Sequence, residues 1–295
     1  MPSSTIRDQI IKTVTELESI PTLPVIVERL KKEIEDPDAD ASSVAKLIEE
    51  DPPTTARVLR LVNSPIYAPV QSEAITLDQA VVRLGMTTLK DLVITSSMMT
   101  LFPKSGATTF DRREFWRHSI SCGLVAAAIT DFMDNKESIN RSEVELAGLC
   151  HDIGKVIMDE FFHDEFVDIL EAAEQEHLLL YEAELKYWQI DHGEIGGILA
   201  ERWGMPDSIK DAIAYHHRPT KAAGKETEKV VQLIHLADFI CNHQALGISG
   251  NGRIMAFPRE CFESLNLDFE LIPDIIERVR EESQNSEIFL SLDEV

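Results

Sequence analysis

Positive charge is in short supply in this chain. Its 295 residues include 28 lysines and arginines against 52 aspartates and glutamates, a net charge of -24. Such an acidic excess opposes non-specific attachment to nucleic acid or anionic lipid, so no direct nucleic-acid partner is expected. It leaves room for a local basic pocket. Long apolar runs are missing too. No stretch approaches the roughly 20 apolar residues of a membrane span, and the N-terminal "MPSSTIRDQIIKT" lacks the apolar core of a signal peptide. Only four cysteines occur, Cys122, Cys150, Cys241 and Cys261, with no C-x-x-C spacing. They read as reduced core thiols of a cytoplasmic protein, not as a disulfide framework. Convincing strand alternation, internal repeats and low-complexity tracts are all absent.

What is present is helical periodicity. With 44% hydrophobic and 27% charged residues the chain reads as globular, long enough for one large core or two smaller ones. In "LPVIVERLKKEIEDPDAD", Ile26, Leu30 and Ile34 share a helical face. Asp51 before Pro52 predicts an N-cap, and Asn63-Ser64-Pro65 a stop. Thr76 with Gln79 predicts a capping box on a helix ending at Gly85, and the helix after it ends before Pro103. Residues 103–114 read as a linker, Arg112 to Phe132 as a long helix, and Ser142 with Glu145 as a second capping box. Further helices are expected in the 160s to 180s, at 192–203, 207–217 and 227–245, then a Gly/Ser-rich break at 247–253, a last helix in "LIPDIIERVREE" and a tail. The expected architecture is an all-α, two-lobed helical bundle. Residues 1–105 would form the first lobe, 106–247 the second, and 248–295 a helical extension with its tail.

Polar side chains stand on several of the apolar faces. His118 shares a stripe with Phe115, Cys122, Val125 and Ile129, and Glu114 lies one turn before it, reading either as a group that reaches the same centre or as an exposed charge near the helix start. His151 and Asp152 are adjacent, so on one helix they would point about 100° apart; Gly154 would ease approach of an ion to the backbone. Lys155 reads either as a phosphate contact or charge partner, or as a solvated lysine. His192 opens a stripe continued by Ile195, Gly196, Leu199 and Trp203, and reads otherwise as a half-open first-turn residue. His216 and His217 close a helix that Asp207 or Ser208 caps, where charge favours the helix C-terminus. Asp238 shares a face with Val231, Ile234 and Cys241. A carboxylate there needs a cation, a salt bridge or a metal. His235, one turn earlier, is a supporting partner in that picture; His163, His177 and His243 receive no role. Each histidine taken singly reads as a hydrogen-bonded core residue. Five inward histidines and two inward aspartates on separate helices point instead to one or two divalent transition metals. Iron or manganese is favoured, and zinc is compatible.

The wording of the first lobe, "IPTLPVIVERL", "IEEDPPTTARVLRLVNSPIY" and "ITLDQAVVRLGMTTLKDLV", resembles the HDOD branch of the HD phosphohydrolase superfamily. The resemblance runs over roughly residues 15–245. It implies an all-helical domain of bacterial signalling and regulatory proteins, many of which lack metal ligands and an assigned reaction. The second lobe is also similar to the HD-GYP phosphodiesterases, metal enzymes that cleave cyclic di-GMP. That similarity implies Glu114, His118, His151, Asp152, Lys155, His192, His216, His217 and Asp238 at the motif positions. "HHRPTKAAGKE" departs from the pattern: Arg218 stands where those enzymes have glutamate, and their Gly-Tyr-Pro loop is missing.

Two functions of different class follow. One is a regulatory HDOD module that keeps a structural or sensing metal and meets a regulatory protein partner. The other is a metal-dependent phosphohydrolase acting on a phosphorylated small molecule such as a nucleotide or cyclic dinucleotide. In the enzyme, Asp152 and Lys155 would be catalytic, with Lys155 or Arg218 offsetting charge on the phosphoryl group. Glu114 would be an extra ligand. A di-iron oxygenase is a third, weaker reading of the same ligand set.

Overall fold

A computed structural model describes residues 5–16, 25–35, 39–62, 76–102, 110–133, 139–251, 253 and 255–283. Every regular element among them is a helix. In chain order these are α1 (Ile6–Glu16), α2 (Val25–Glu35), α3 (Ala41–Glu49), α4 (Pro52–Val62), α5 (Leu77–Leu84), α6 (Met86–Leu101), α7 (Arg112–Asp131) and α8 (Arg141–Cys150). Then follow α9 (Ile153–Phe161), α10 (His163–Gln175), α11 (Leu180–Tyr187), α12 (His192–Arg202), α13 (Asp207–Tyr215), α14 (Glu228–His243), α15 (Arg259–Ser264) and α16 (Ile272–Ser283). The all-α expectation holds. Among the described residues no helix is long and apolar enough to cross a membrane.

The described residues divide into two compact units, those within 21–103, and those within 1–20 and 104–284. These bounds differ from the expected 1–105, 106–247 and 248–295. The reason is packing: α1 lies on α12 and α16 on α7, so both chain ends contribute helices to the unit of the second lobe. The expected stop at 63–65, most of the linker and the tail lie outside the described residues.

In the 21–103 unit, helix ends follow local chemistry. Asp51 accepts from the Thr54 amide at 3.2 Å. The Thr76–Gln79 capping box forms in both directions, at 3.3 and 3.0 Å. Gly85 then joins α5 to α6 at φ 83°, a left-handed value that favours glycine. Ile26 and Leu30 are buried, as their spacing predicts.

The other unit holds the polar face residues. Its α7 carries buried His118, Cys122, Val125 and Ile129 on one stripe. Two expected caps fall elsewhere. Asn140, not Ser142, caps α8, accepting from the Ser142 and Glu143 amides at 3.1 and 3.3 Å. The helix starts earlier because asparagine is as good an N-cap as serine. Pro206 holds the N-cap position of α13 without a side-chain bond. Asp207 pairs instead with Lys210 at 2.7 Å, and Ser208 donates to Glu143 at 2.5 Å.

Helix-to-helix spacing is set by small residues. A Cβ on Gly148 would sit 2.6 Å from the Gly123 Cα, and one on Gly154 would sit 2.0 Å from the His192 carbonyl oxygen. Backbones therefore touch where α7 meets α8 and where α9 meets α12. Gly154 serves this crossing rather than the approach of an ion. Arg112 and Asp159 add a buried ion pair at 2.5 Å between α7 and α9. Replacing Gly148 by Ala is expected to destabilise the protein by about 1–3 kcal/mol, because backbone must move to admit the methyl group. A denaturation midpoint equal to wild type would refute the close crossing.

Candidate metal centre

Continuous helical pattern predicted that His151 and Asp152 diverge. The chain instead breaks there. His151 is the C-cap of α8, Asp152 has φ -99° and ψ 7°, and α9 starts at the next residue. This junction turns both side chains to one point, with His151 Nε2 3.3 Å from Asp152 Oδ2.

Four helices deliver the rest. His118 comes from mid-α7, His192 from the first turn of α12, His216 and His217 from just beyond α13, and Asp238 from mid-α14. His118 Nε2 lies 3.1 Å from Asp238 Oδ1, and His151 Nε2 3.8 Å from the same oxygen. His192 Nε2 lies 3.1 Å and His216 Nε2 3.5 Å from Asp152 Oδ1. His217 Nδ1 is 3.9 Å from Asp238 Oδ2. All seven expected ligands thus meet. They form two groups with mutual ligand-atom separations within 4.8 Å: His118, His151 and Asp238 with Cys122, and Asp152 with His192, His216 and His217. Asp152 turns one oxygen toward each group.

Outer hydrogen bonds set the imidazole tautomers. His151 Nδ1 donates to the Gly148 carbonyl at 2.7 Å, and His216 Nδ1 to the Ile213 carbonyl at 2.8 Å. Carbonyls only accept, so each Nδ1 carries a proton and each Nε2 faces the centre. His192 Nδ1 is held by the Glu184 carboxylate at 2.7 Å. His235 Nδ1 bonds the His216 carbonyl at 2.5 Å, so His235 supports that backbone and does not enter the centre.

Several inward atoms have no hydrogen-bond partner among the described residues. They are His151 Nε2, Asp152 Oδ1, His216 Nε2 and Asp238 Oδ2. His192 Nε2 and His217 Nε2 stand 2.9 Å apart, a contact that needs a proton or cation between two lone pairs. Buried orphan donors and acceptors are expensive; here they are nitrogen and oxygen atoms converging at ligand spacing. The donor set fits a divalent transition metal.

The electrostatics agree. Burial opposes ionisation of Asp152, but His151 and Lys155 hold its carboxyl well below the usual range. Burial likewise opposes ionisation of Asp238, and His118 and His151 hold it well down. Burial alone would lower His151; the Asp152 and Asp238 charges reverse this and lift it to about 10. Burial is also outweighed at His192, which Glu184 lifts to about 9. Burial pushes His216 down to about 4, and burial with the neighbouring His216 and His192 pushes His217 well down. The two carboxylates thus draw positive charge into the cluster, and a bound cation would take the place of the imidazole protons.

Three other expected residues are held by partners within the fold, Lys155 as the charge partner it was expected to be. The Glu114 carboxylate pairs with Arg117 at 3.1 Å, while its carbonyl accepts from the Ile248 amide at 3.1 Å. Lys155 is fully buried and donates to Asp152 at 2.6 Å and to the Ser249 carbonyl at 2.9 Å. Arg218 is paired with Asp191, the residue that caps α12.

Supporting residues escaped the sequence reading. Glu184 sits on the buried face of Leu180 and Trp188, a carboxylate on an apolar stripe just like Asp238, and that signal was available. Asn242, one turn beyond Asp238, donates to its Oδ1 at 2.5 Å and accepts from Ser249 at 2.9 Å. Ser249 belongs to the 247–253 stretch read only as a break. Gly247, at φ 83°, lets that loop press on α7, since a Cβ there would lie 2.3 Å from the His118 amide nitrogen.

The HDOD domain family matches residues 20–219. The chain belongs to that family. An HDOD domain protein of unknown function from Geobacter sulfurreducens has a TM-score of 0.73 at 28% identity, covering 98% of this chain and 96% of that one. A Marinobacter aquaeolei VT8 protein, provisionally named for signal transduction, gives 0.80 at 20% identity, covering 98% and 65%. A Shewanella amazonensis SB2B protein, provisionally named a phosphohydrolase, gives 0.66 at 22% identity, covering 97% of each. At such identities the last two share the fold alone. This HDOD chain spans only 38% and 25% of the lengths of the curated relatives it matches.

Glu184 orients the His192 ring toward the centre, so Glu184→Gln is expected to weaken metal binding about 10–100-fold while the helical content stays unchanged. Chelator competition on the two proteins checks this, and equal affinities would refute it.

Proposed function

We propose that this HDOD protein is a bacterial signalling module whose second lobe holds one or two divalent transition metals, iron or manganese foremost, as a structural or sensing element. One observation carries the reading. Both cations expected to meet a phosphate are already committed within the fold, Lys155 to Asp152 and Ser249, Arg218 to Asp191. The ligands are also shut in: six have no more than 1% exposure and His217 only 5% of its side chain. A small pocket beside His217 is lined by Leu179, Tyr181, Asn242, Asn251, Arg253 and Met255. A metal held this way ties α7, α8, α12, α13 and α14 together, and its arrival or loss would change what the domain presents to a regulatory protein partner.

One feature favours the second reading, a metal-dependent phosphohydrolase. Asp152 faces both ligand groups with different oxygens, as a residue shared by two ions does. Two divalent ions supply phosphoryl polarisation and a water of lowered pKa. In that reading Asp152 orients the centre, and Lys155 would leave the Ser249 carbonyl to meet a phosphoryl oxygen of a phosphorylated small molecule.

Protein purified without chelator is expected to carry at least one transition metal per chain, and Asp152→Ala to lose most of it by elemental analysis. Metal-loaded protein is then offered nucleotides, cyclic dinucleotides and simple phosphoesters. Absence of turnover with metal bound is the expected result. Turnover that disappears in the Asp152→Ala variant would replace the module by the enzyme.

A further inference from the structure

The first ligand group contains a residue that neither helix pattern nor family resemblance singles out. Cys122 follows His118 by one turn on α7 and is fully buried. Its Sγ lies 3.4 Å from His118 Nε2, and it falls within the same 4.8 Å set as His151 and Asp238. Around a tetrahedral ion, bonds of about 2.3 Å to sulfur and 2.05 Å to nitrogen place those two atoms about 3.5 Å apart. The observed 3.4 Å, at which the thiol also hydrogen-bonds His118, matches the spacing of two ligands on one centre. His151 Nε2 and Asp238 Oδ2, both buried, have no hydrogen-bond partner.

Resting on the reading of this site as a metal centre, we propose that Cys122 is a ligand of the first ion. That position would be a His118, Cys122, His151, Asp238 set. The second group, Asp152, His192, His216 and His217, contains no sulfur. The two positions therefore differ in kind. Thiolate selects borderline-soft metals, whereas manganese prefers oxygen-rich sites. The first position accordingly takes zinc, cobalt or ferrous iron ahead of manganese, and the second accepts a wider range. The thiol loses its proton on coordination. The charges of one thiolate and one carboxylate then balance one divalent ion, with two neutral imidazoles completing the set.

Cys241 provides the internal control. It is a second buried thiol, on α14, and it hydrogen-bonds Cys122. It is not a member of either ligand group.

The test uses the full chain and cobalt(II) as a spectroscopic metal. Cobalt is expected to bind with visible ligand-field bands and a near-ultraviolet sulfur-to-cobalt charge-transfer band. That band should persist in Cys241→Ala and vanish in Cys122→Ser. Visible bands without a charge-transfer band would overturn the assignment of Cys122 and leave the metal centre standing. Loss of the band in Cys241→Ala, with Cys122 intact, would overturn it as well. Failure of cobalt to bind at all would overturn both this inference and the metal centre beneath it. Should Cys122→Ser fail to fold, X-ray absorption of zinc-loaded wild type decides. A sulfur shell at about 2.3 Å supports the proposal, and nitrogen and oxygen alone at about 2.0–2.1 Å rejects it.

Discussion

Two aspartates buried without a compensating arginine among the described residues govern the larger unit. A carboxylate withdrawn from water costs several kcal/mol unless positive charge meets it. Asp152 and Asp238 are each 1% exposed or less. Imidazoles surround them, and the one lysine within reach is itself fully buried. Helices α7, α8, α12, α13 and α14 each end or pass at this point with a histidine or aspartate aimed inward. Their relative placement is thus coupled to how the cluster is charged.

The geometry depends on where helices stop and how closely they pass. An unbroken helix through 151–152 would send the two side chains apart. Breaking α8 from α9 at that junction brings both to one centre. Gly154 then lets α9 approach the backbone at His192, and Gly148 with Gly123 does the same between α7 and α8. A layer of supporting contacts locks the result: Glu184 on His192, Asn242 on Asp238, and Ser249 on both Asn242 and Lys155. The loop at 247–251 is accordingly part of the site, although its composition reads only as an interruption.

The same contacts bear on the choice between module and enzyme. A group that neutralises a phosphoryl oxygen must be free to reach it. Lys155 and Arg218 are instead used inside the protein, one against Asp152 and the other against the residue that caps α12. Arg218 thereby acts on the entry of α12, whose first residue is His192. This is the physical ground on which the signalling role is preferred.

Helical class was readable from the chain alone, because apolar spacing and capping are local. The 3.6-residue stripes of α7 and α14, the Asp51 and Thr76 caps, and the misplaced polarity of His118 and Asp238 all lie within a few turns of sequence. Adjacent alternatives defeated that reading at Asn140 and Pro206, where neighbouring residues compete for one cap. Glu184, on the apolar stripe of Leu180 and Trp188, is equally legible. Tertiary structure alone decided the rest. Only packing reveals that Cys122 and His118 join the same cluster as His151, that Glu114 turns away to Arg117, or that α1 and α16 join the second unit. Sequence encodes which face of a helix is buried. Which faces meet, and which buried polar atoms end within reach of one another, depends on crossings set by small residues far apart in the chain.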